Sequence, residues 1–167
     1  MELTLFPLGE YCELLDKLGQ LAAPLPEGLA LGRTVEFVSY SSRETVPGTL
    51  FLCKGAHFKP EYLADAGRKG AFAYVSERAY PDADLPCILV RDMRLVMAPL
   101  AAMYYNDPAR RLKIIGVTGT KGKSSTAYYL KHILDEYLAP RGQTCGVISS
   151  IDTWDGVERF ESHLTTP

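Results

Sequence analysis

The sequence predicts an α/β protein in which a small mixed α/β domain precedes an incomplete βαβ unit of a parallel sheet. Short apolar strands alternate with helical segments over roughly the first hundred residues, and a strand, a glycine-rich loop, a helix and a second strand follow. Of the 167 residues, 47% are hydrophobic and 23% are charged. This balance is typical of a folded domain with a core, and the alternation of strands and helices favours a parallel sheet.

The first domain is predicted to contain three helices and four strands. The helices are expected at residues 10–18, 60–69 and 92–105, and the strands at 35–39, 50–53, 71–75 and 87–90. Pro60 suits the first turn of a helix, Gly70 suits a helix end, and Asp92 is a good N-cap residue. Asn106-Asp107-Pro108 ends the third helix, because the residue before a proline avoids helical geometry. We therefore predict a first domain over residues 1–107 and a second over 108–167.

The second domain is predicted to be truncated. A strand at 112–117, a helix at 124–138 and a strand at 144–151 form a βαβ unit, and Asp155-Gly156 suits a hairpin turn. Two parallel strands and one helix cannot cover both faces of a buried sheet. Exposed sheet edges favour pairing with another chain, so we expect homo-oligomers of this chain.

Charge and composition exclude several classes of protein. Eighteen basic and twenty acidic residues give a net charge of −2, which argues against binding to nucleic acid. No apolar stretch approaches the ~20 residues that cross a membrane, and the first residues do not resemble a signal peptide. The four scattered cysteines are interpreted as buried thiols rather than disulfides or zinc ligands. These features predict a cytoplasmic protein.

The most informative segment is the glycine-rich loop before the helix at 124–138. Gly119-Thr120-Lys121-Gly122-Lys123-Ser124-Ser125 follows a predicted strand and opens directly into that helix, so its amides and the helix amino end favour an anion. Lys123 is expected to reach the β- and γ-phosphates of ATP, and the Ser124 hydroxyl is expected to bind the accompanying Mg²⁺. The common phosphate-loop pattern would require glycine where this chain has Val117.

Two alternatives remain at this loop. A glycine-rich turn between a strand and a helix also occurs without any ligand, although the Gly-Lys-Ser ending argues against that interpretation. Lys121 either contacts phosphate or is a solvated lysine at the tip of the loop.

Four motifs together resemble the Mur ligase family. Gly116–Ser125 reads GVTGTKGKSS and is similar to that family's G-x-x-G-T-x-G-K-[ST]-[ST] loop, which explains the missing first glycine. Ser41-Ser42-Arg43, followed by Val46-Pro47-Gly48 and Leu50-Phe51, resembles the D-S-R…V-x-P-G-x-L-F pattern of its first domain. The run 146–151 resembles the strand after the loop helix, and Thr165-Thr166-Pro167 resembles the T-T-P that follows.

The resemblance is closest to the ligases that add the third amino acid to a UDP-N-acetylmuramoyl dipeptide. It implies ATP and Mg²⁺ as cofactors, a UDP-N-acetylmuramoyl peptide and an amino acid as substrates, and amide formation through an acyl phosphate in peptidoglycan synthesis. It implies that Ser42 contacts the UDP end of the acceptor, that Thr165 and Thr166 contact its muramoyl portion, and that Lys123 is the catalytic lysine. A local turn role for Ser42 and an exposed strand end at Thr165 and Thr166 remain the alternatives.

The sequence also departs from the family pattern. Ser41 stands where the family has aspartate, and Ala56-His57-Phe58 replaces an Asp-Gly-His-like run. These departures leave the identity of the acceptor substrate undecided. Two other functions compete: another phosphate-loop enzyme such as a small-molecule kinase, and a non-catalytic nucleotide- or UDP-sugar-binding module. The short second domain predicts that this chain alone does not turn over, and the residues do not specify which amino acid is added.

Overall fold

The computed structural model describes residues 3–55 and 58–161. The chain divides into two compact units, Met1–Lys113 and Ile114–Pro167. The division lies a few residues after Asp107, where the sequence analysis places the domain boundary.

The described residues form four α-helices, two short 3₁₀ helices and seven strands. In chain order they are α1 (Leu8–Lys17), β1 (Phe37–Ser39), β2 (Thr49–Leu52), α2 (Pro60–Arg68), β3 (Ala71–Ser76), β4 (Cys87–Leu89), α3 (Met93–Tyr104), a 3₁₀ turn (Pro108–Arg111), α4 (Lys123–Leu138), a 3₁₀ turn (Ala139–Arg141), β5 (Val147–Ile148), β6 (Asp152–Trp154) and β7 (Arg159–Glu161).

The first unit is built on a four-stranded parallel sheet. Its strand order is β1-β2-β3-β4, and every neighbouring pair is parallel. All residues of β2 and β3 are buried, as expected for central parallel strands that helices cover on both faces. The predicted α/β class with a parallel sheet is confirmed.

Side-chain alternation along β2 divides the core into two clusters. Leu50 and Leu52 face a cluster with residues of α1 and α3, including Leu15 and Leu100. Phe51 faces the opposite way, into a cluster that contains Leu63 and Ala66 of α2. One helix therefore covers one face of the sheet and two helices cover the other.

Local signals explain where the helices of this unit begin. Asp92 precedes α3, and its carboxylate accepts a hydrogen bond from the Arg94 amide at 2.7 Å, as predicted for an N-cap. Pro60 occupies the first turn of α2, where its missing amide hydrogen is not needed.

The cysteines of the chain are free thiols. Cys12 and Cys53 are buried, and burial raises the pKa of Cys12 to about 11 and that of Cys53 to about 12. Cys87 and Cys145 are half-buried. The interpretation as buried thiols is therefore confirmed for two of the four.

The predicted βαβ unit of the second domain is wrong in its strands. Residues 112–117 lie outside every strand, and Leu112, Ile114 and Ile115 are exposed. The predicted strand at 144–151 is reduced to Val147–Ile148, which pairs with β6 in an antiparallel three-stranded sheet. An apolar run becomes a strand only when another strand supplies hydrogen bonds, and no described residue pairs with 112–117.

The hairpin between β6 and β7 agrees with the prediction from Asp155-Gly156. Trp154 pairs with Arg159 across the turn. The Asp155 carboxylate accepts hydrogen bonds from the Val157 and Glu158 amides, each at 2.8 Å. The aspartate thus closes the turn with its own side chain, as aspartates in turns commonly do.

Asp135 joins α4 to the segment that leads into β5. Its carboxylate forms an ion pair with Lys131 and accepts hydrogen bonds from the Thr144 hydroxyl at 2.9 Å and the Cys145 amide at 2.7 Å. The bonds from Lys131 and from the Cys145 amide lower the pKa of Asp135 to about 2. The charged carboxylate therefore fixes the far end of α4 within the second unit.

We expect this carboxylate to stabilise the second unit at neutral pH. Its pKa is lower in the folded chain than the ordinary 3.8, so its contribution is complete above that value and is lost as the pH falls through about 2. Asp135→Asn should lower the free energy of unfolding at pH 7, and the deficit should shrink toward pH 2. Denaturant unfolding monitored by Trp154 fluorescence measures this. Asp82→Asn, at an exposed position of the first unit, is the control; a deficit independent of pH would contradict the assignment.

Candidate nucleotide site

The backbone of the loop at 119–124 leads directly into α4. Gly122 is the N-cap residue of that helix, with φ +77° in the left-handed region that favours glycine. Gly122 has no side chain with which to cap α4, and its carbonyl accepts the first helical hydrogen bond from the Thr126 amide at 2.9 Å. The first amides of a helix have no partner within the helix. This helix end therefore offers donors and the positive end of its dipole to an anion.

Lys123 and Ser124 open α4 and carry the polar groups of the site. The Lys123 ammonium donates a hydrogen bond to the Gly119 carbonyl at 2.9 Å, which closes the loop upon itself. The Ser124 hydroxyl lies 3.3 Å from the Ser150 hydroxyl, just after β5. A lysine ammonium has three donors, and the bond to Gly119 occupies one of them.

The loop has room for a ligand. Thr120, Lys121 and Lys123 are exposed. A Cβ built on Gly122 would meet no atom of the described residues within 4 Å, its chain neighbours aside, so the space beside the helix end is open there. Exposed donors around an open helix end are the arrangement that a phosphate group requires.

Ser42 lies in the first unit, in the segment between β1 and β2. Its carbonyl accepts a hydrogen bond from the Lys69 ammonium at 2.7 Å. Hydrogen bonds from Lys69 and, to a smaller extent, from the Ser42 side chain lower the pKa of Asp65. The Ser42 carbonyl is therefore bound to the end of α2, and the predicted contact of Ser42 with UDP stays a proposal.

Comparison with known proteins identifies the relatives of this chain. It is 45% identical, over 135 residues, to the UDP-N-acetylmuramyl-tripeptide synthetase of Limosilactobacillus reuteri; the match covers 80% of this chain and 26% of that protein. It is 39% identical, over 172 residues, to the UDP-N-acetylmuramoyl-L-alanyl-D-glutamate–L-lysine ligase of Enterococcus faecalis, covering 100% of this chain and 34% of that ligase. The homologues of this chain are Mur ligases. The chain thus spans about a third or less of the length of these relatives.

Solved structures of Mur ligases share its fold. A UDP-N-acetylmuramoyl-L-alanyl-D-glutamate–2,6-diaminopimelate ligase matches with a TM-score of 0.63 and 20% identity, over 98% of this chain and 31% of that chain. A UDP-N-acetylmuramoylalanyl-D-glutamyl-2,6-diaminopimelate–D-alanyl-D-alanyl ligase from Acinetobacter baumannii matches with a TM-score of 0.53 and 25% identity. This match covers 81% of this chain and 29% of that chain. No protein-family model matches the chain. Within residues 3–55 and 58–161, no helix has the length and apolar character needed to cross a bilayer.

The predicted site residues fall into three groups. Those of the loop, Gly119 to Ser125, are contiguous at the start of α4, whereas Ser42 belongs to the first unit. Thr165 and Thr166 lie outside the described residues, as does His57. The sequence analysis missed Ser150, whose hydroxyl adjoins that of Ser124. Its position at the end of a strand that follows the loop helix was the available signal, because ligand-binding groups of α/β proteins collect at such ends.

Removing the ammonium of Lys123 should weaken nucleotide binding. We expect Lys123→Ala to reduce the binding free energy of ATP by about 2–3 kcal/mol, the range for a charge-assisted hydrogen bond to phosphate. Calorimetric titration of this chain with ATP and Mg²⁺ measures the change. The matched control is Lys113→Ala, an exposed lysine that precedes the second unit. Equal affinity of the Lys123 variant and the unmodified chain would show that the loop is not a phosphate site.

Proposed function

We propose that this chain is the nucleotide-binding and acceptor-binding portion of an ATP-dependent ligase that adds an amino acid to a UDP-N-acetylmuramoyl peptide. The observation that carries the proposal is the identity of 39% along the whole chain to a ligase whose name specifies this acceptor and L-lysine. The open helix end at Gly122, with Lys123 directly after it, supports the assignment of ATP to the loop.

The residues of the loop fit a triphosphate and its metal ion. The first amides of α4 and the Lys123 ammonium would bind and orient the β- and γ-phosphates. Ser124 would hold Mg²⁺ through its hydroxyl, and Ser150, whose hydroxyl lies 3.3 Å away, would orient that hydroxyl. When bound, Mg²⁺ neutralises the charge that develops on the phosphoryl oxygens.

The reaction proceeds in two displacements. The acceptor carboxylate takes the γ-phosphoryl group of ATP and releases ADP, and the resulting acyl phosphate reacts with the amine of the incoming amino acid. Phosphate leaves, the amine loses a proton and an amide bond forms. In this proposal Lys123 stabilises the transferring group in the first step, while Thr165 and Thr166 contact the muramoyl part of the acceptor.

The first unit binds the uridine end of the acceptor in this proposal. Ser42 lies in the segment after β1, and ligands of parallel α/β sheets bind beside the carboxyl ends of strands. This segment also carries the Ser42-Arg43…Pro47-Gly48 pattern that resembles the family.

We propose further that the chain by itself does not complete the reaction and that it self-associates, in the cytoplasm. The relatives are about three times as long, and formation of an acyl phosphate requires a closed site that excludes water until the amine arrives. Ile114, Ile115 and Ile148 of the second unit are each at least 60% exposed. Exposed apolar groups of this kind promote association between copies.

Titration with the acceptor tests the substrate assignment. UDP-N-acetylmuramoyl-dipeptide should shift the amide resonances around Ser42, because the uridine end binds the first unit. UTP is the control ligand, since it carries uridine and a triphosphate without the muramoyl peptide. Shifts confined to the loop near Gly119, with UTP equally effective, would contradict the acceptor assignment. After addition of ATP, Mg²⁺ and an amino acid, the same samples should release phosphate slowly and form no amide; ligation by a monodisperse monomer would contradict the proposal that the chain alone is inactive.

The competing functions predict other results. A small-molecule kinase would transfer the γ-phosphoryl group to a hydroxyl acceptor in the same assay. A binding module without catalysis would give the acceptor-induced shifts with no phosphate release.

A further inference from the structure

The segment between β1 and β2 crosses the sheet without a helix. Because these strands are parallel, residues 40–48 must run from the carboxyl end of β1 back to the amino end of β2. Near its start the segment folds around the Ser41 carbonyl, which accepts hydrogen bonds from the Glu44 amide at 3.1 Å and from the hydroxyls of Ser39 and Thr45 at 3.2 Å. Ser41 is thereby fixed by its own neighbours, whereas Ser42 is fixed from outside the segment.

The outside contact to Ser42 comes from the end of α2. The Lys69 ammonium lies between the Ser42 carbonyl, at 2.7 Å, and the Asp65 carboxylate, at 2.9 Å. Asp65 also contacts Arg68 at 3.3 Å. The Lys69 side chain is 39% exposed and that of Asp65 is 31% exposed, so solvent only partly screens the pair. Asp65 orients the ammonium, and the ammonium holds the Ser42 carbonyl.

The next residue fixes the other end of the same segment. The Gly70 carbonyl accepts a hydrogen bond from the Gly48 amide at 3.0 Å. Gly70 has φ +102°, and a Cβ built there would lie 2.7 Å from the Cα of Pro47. Only glycine permits this approach. Lys69 and Gly70 thus hold the segment at two points, one near Ser42 and the other at Pro47-Gly48.

From these contacts we infer that Lys69 is a positioning residue for the uridine diphosphate group of the acceptor. It holds the backbone at Ser42 in the conformation that receives the ligand and does not itself touch the ligand. This role rests on the proposed function of the first unit. Gly70 fixes the segment at Pro47-Gly48, while Lys69 fixes the backbone conformation at Ser42.

Substitution of Lys69 should weaken UDP binding without unfolding the chain. Lys69→Met keeps the length of the side chain but removes the charge and the donors. We expect an increase of about tenfold in the Kd for UDP, measured by calorimetry, because the Ser42 backbone is no longer held in the conformation that receives the ligand. Lys69→Arg retains a charged donor and should return the Kd to within about threefold of the unmodified chain.

The matched control is Lys17→Met, which removes the ammonium of another ion pair with i,i+4 spacing, Lys17–Glu13 on α1. It should leave the Kd unchanged, and all three variants should keep the melting temperature within about 2 °C, since exposed pairs contribute little to stability.

The outcomes separate this role from the proposed function. If the unmodified chain binds UDP and Lys69→Met binds it equally well, Lys69 does not position Ser42, and the proposed function stands. If Lys69→Met loses affinity together with melting temperature and Lys69→Arg restores neither, the role of Lys69 is structural only and the inference is wrong. If the unmodified chain does not bind UDP, the proposed uridine site fails and this inference fails with it.

Discussion

A parallel strand can be buried on both faces only when helices cover it and neighbouring strands bond to both of its edges. β2 and β3 satisfy this condition at every residue, and the arrangement of the first unit depends on it. Consecutive parallel strands need connections that cross the sheet. One of these connections contains α2, and another is the helix-free segment that carries Ser42. The same sheet that forms the core therefore determines where the proposed acceptor-binding segment lies, and Lys69 and Gly70, directly after α2, bind that segment.

The second unit has no parallel strand that is paired on both sides among its described residues, and its sheet differs from that of the first unit. Its three short strands form an antiparallel sheet, and the apolar residues at 112–117 pair with no described strand. The start of α4 nevertheless forms as expected, because a glycine N-cap and the following helix are local features that need no sheet. Asp135 then fixes the opposite half of the helix to the segment before β5. Local hydrogen bonds thus preserve the loop at 119–124 and the start of α4 where long-range strand pairing is missing.

This contrast explains how far the sequence could predict the protein. Asp92, Pro60 and Asp155 were sufficient to place two helix starts and a hairpin, since each acts through its own neighbouring backbone. The strand at 112–117 was predicted from apolar character alone, and that pattern does not show whether a partner strand exists. Within the candidate site, the loop residues were identified from spacing. Ser150 and Lys69 were missed because each acts across a gap of more than twenty residues in sequence, on Ser124 and Ser42 respectively.

The central claim is that the start of α4 binds the phosphates of a nucleotide. A crystal structure of this chain with ADP and Mg²⁺ tests it most directly. We expect the β-phosphate oxygens to lie within about 3.2 Å of the amides around Gly122 to Ser124 and of the Lys123 ammonium, the usual hydrogen-bond distance. A nucleotide bound elsewhere, with this helix end facing only solvent, would contradict the account.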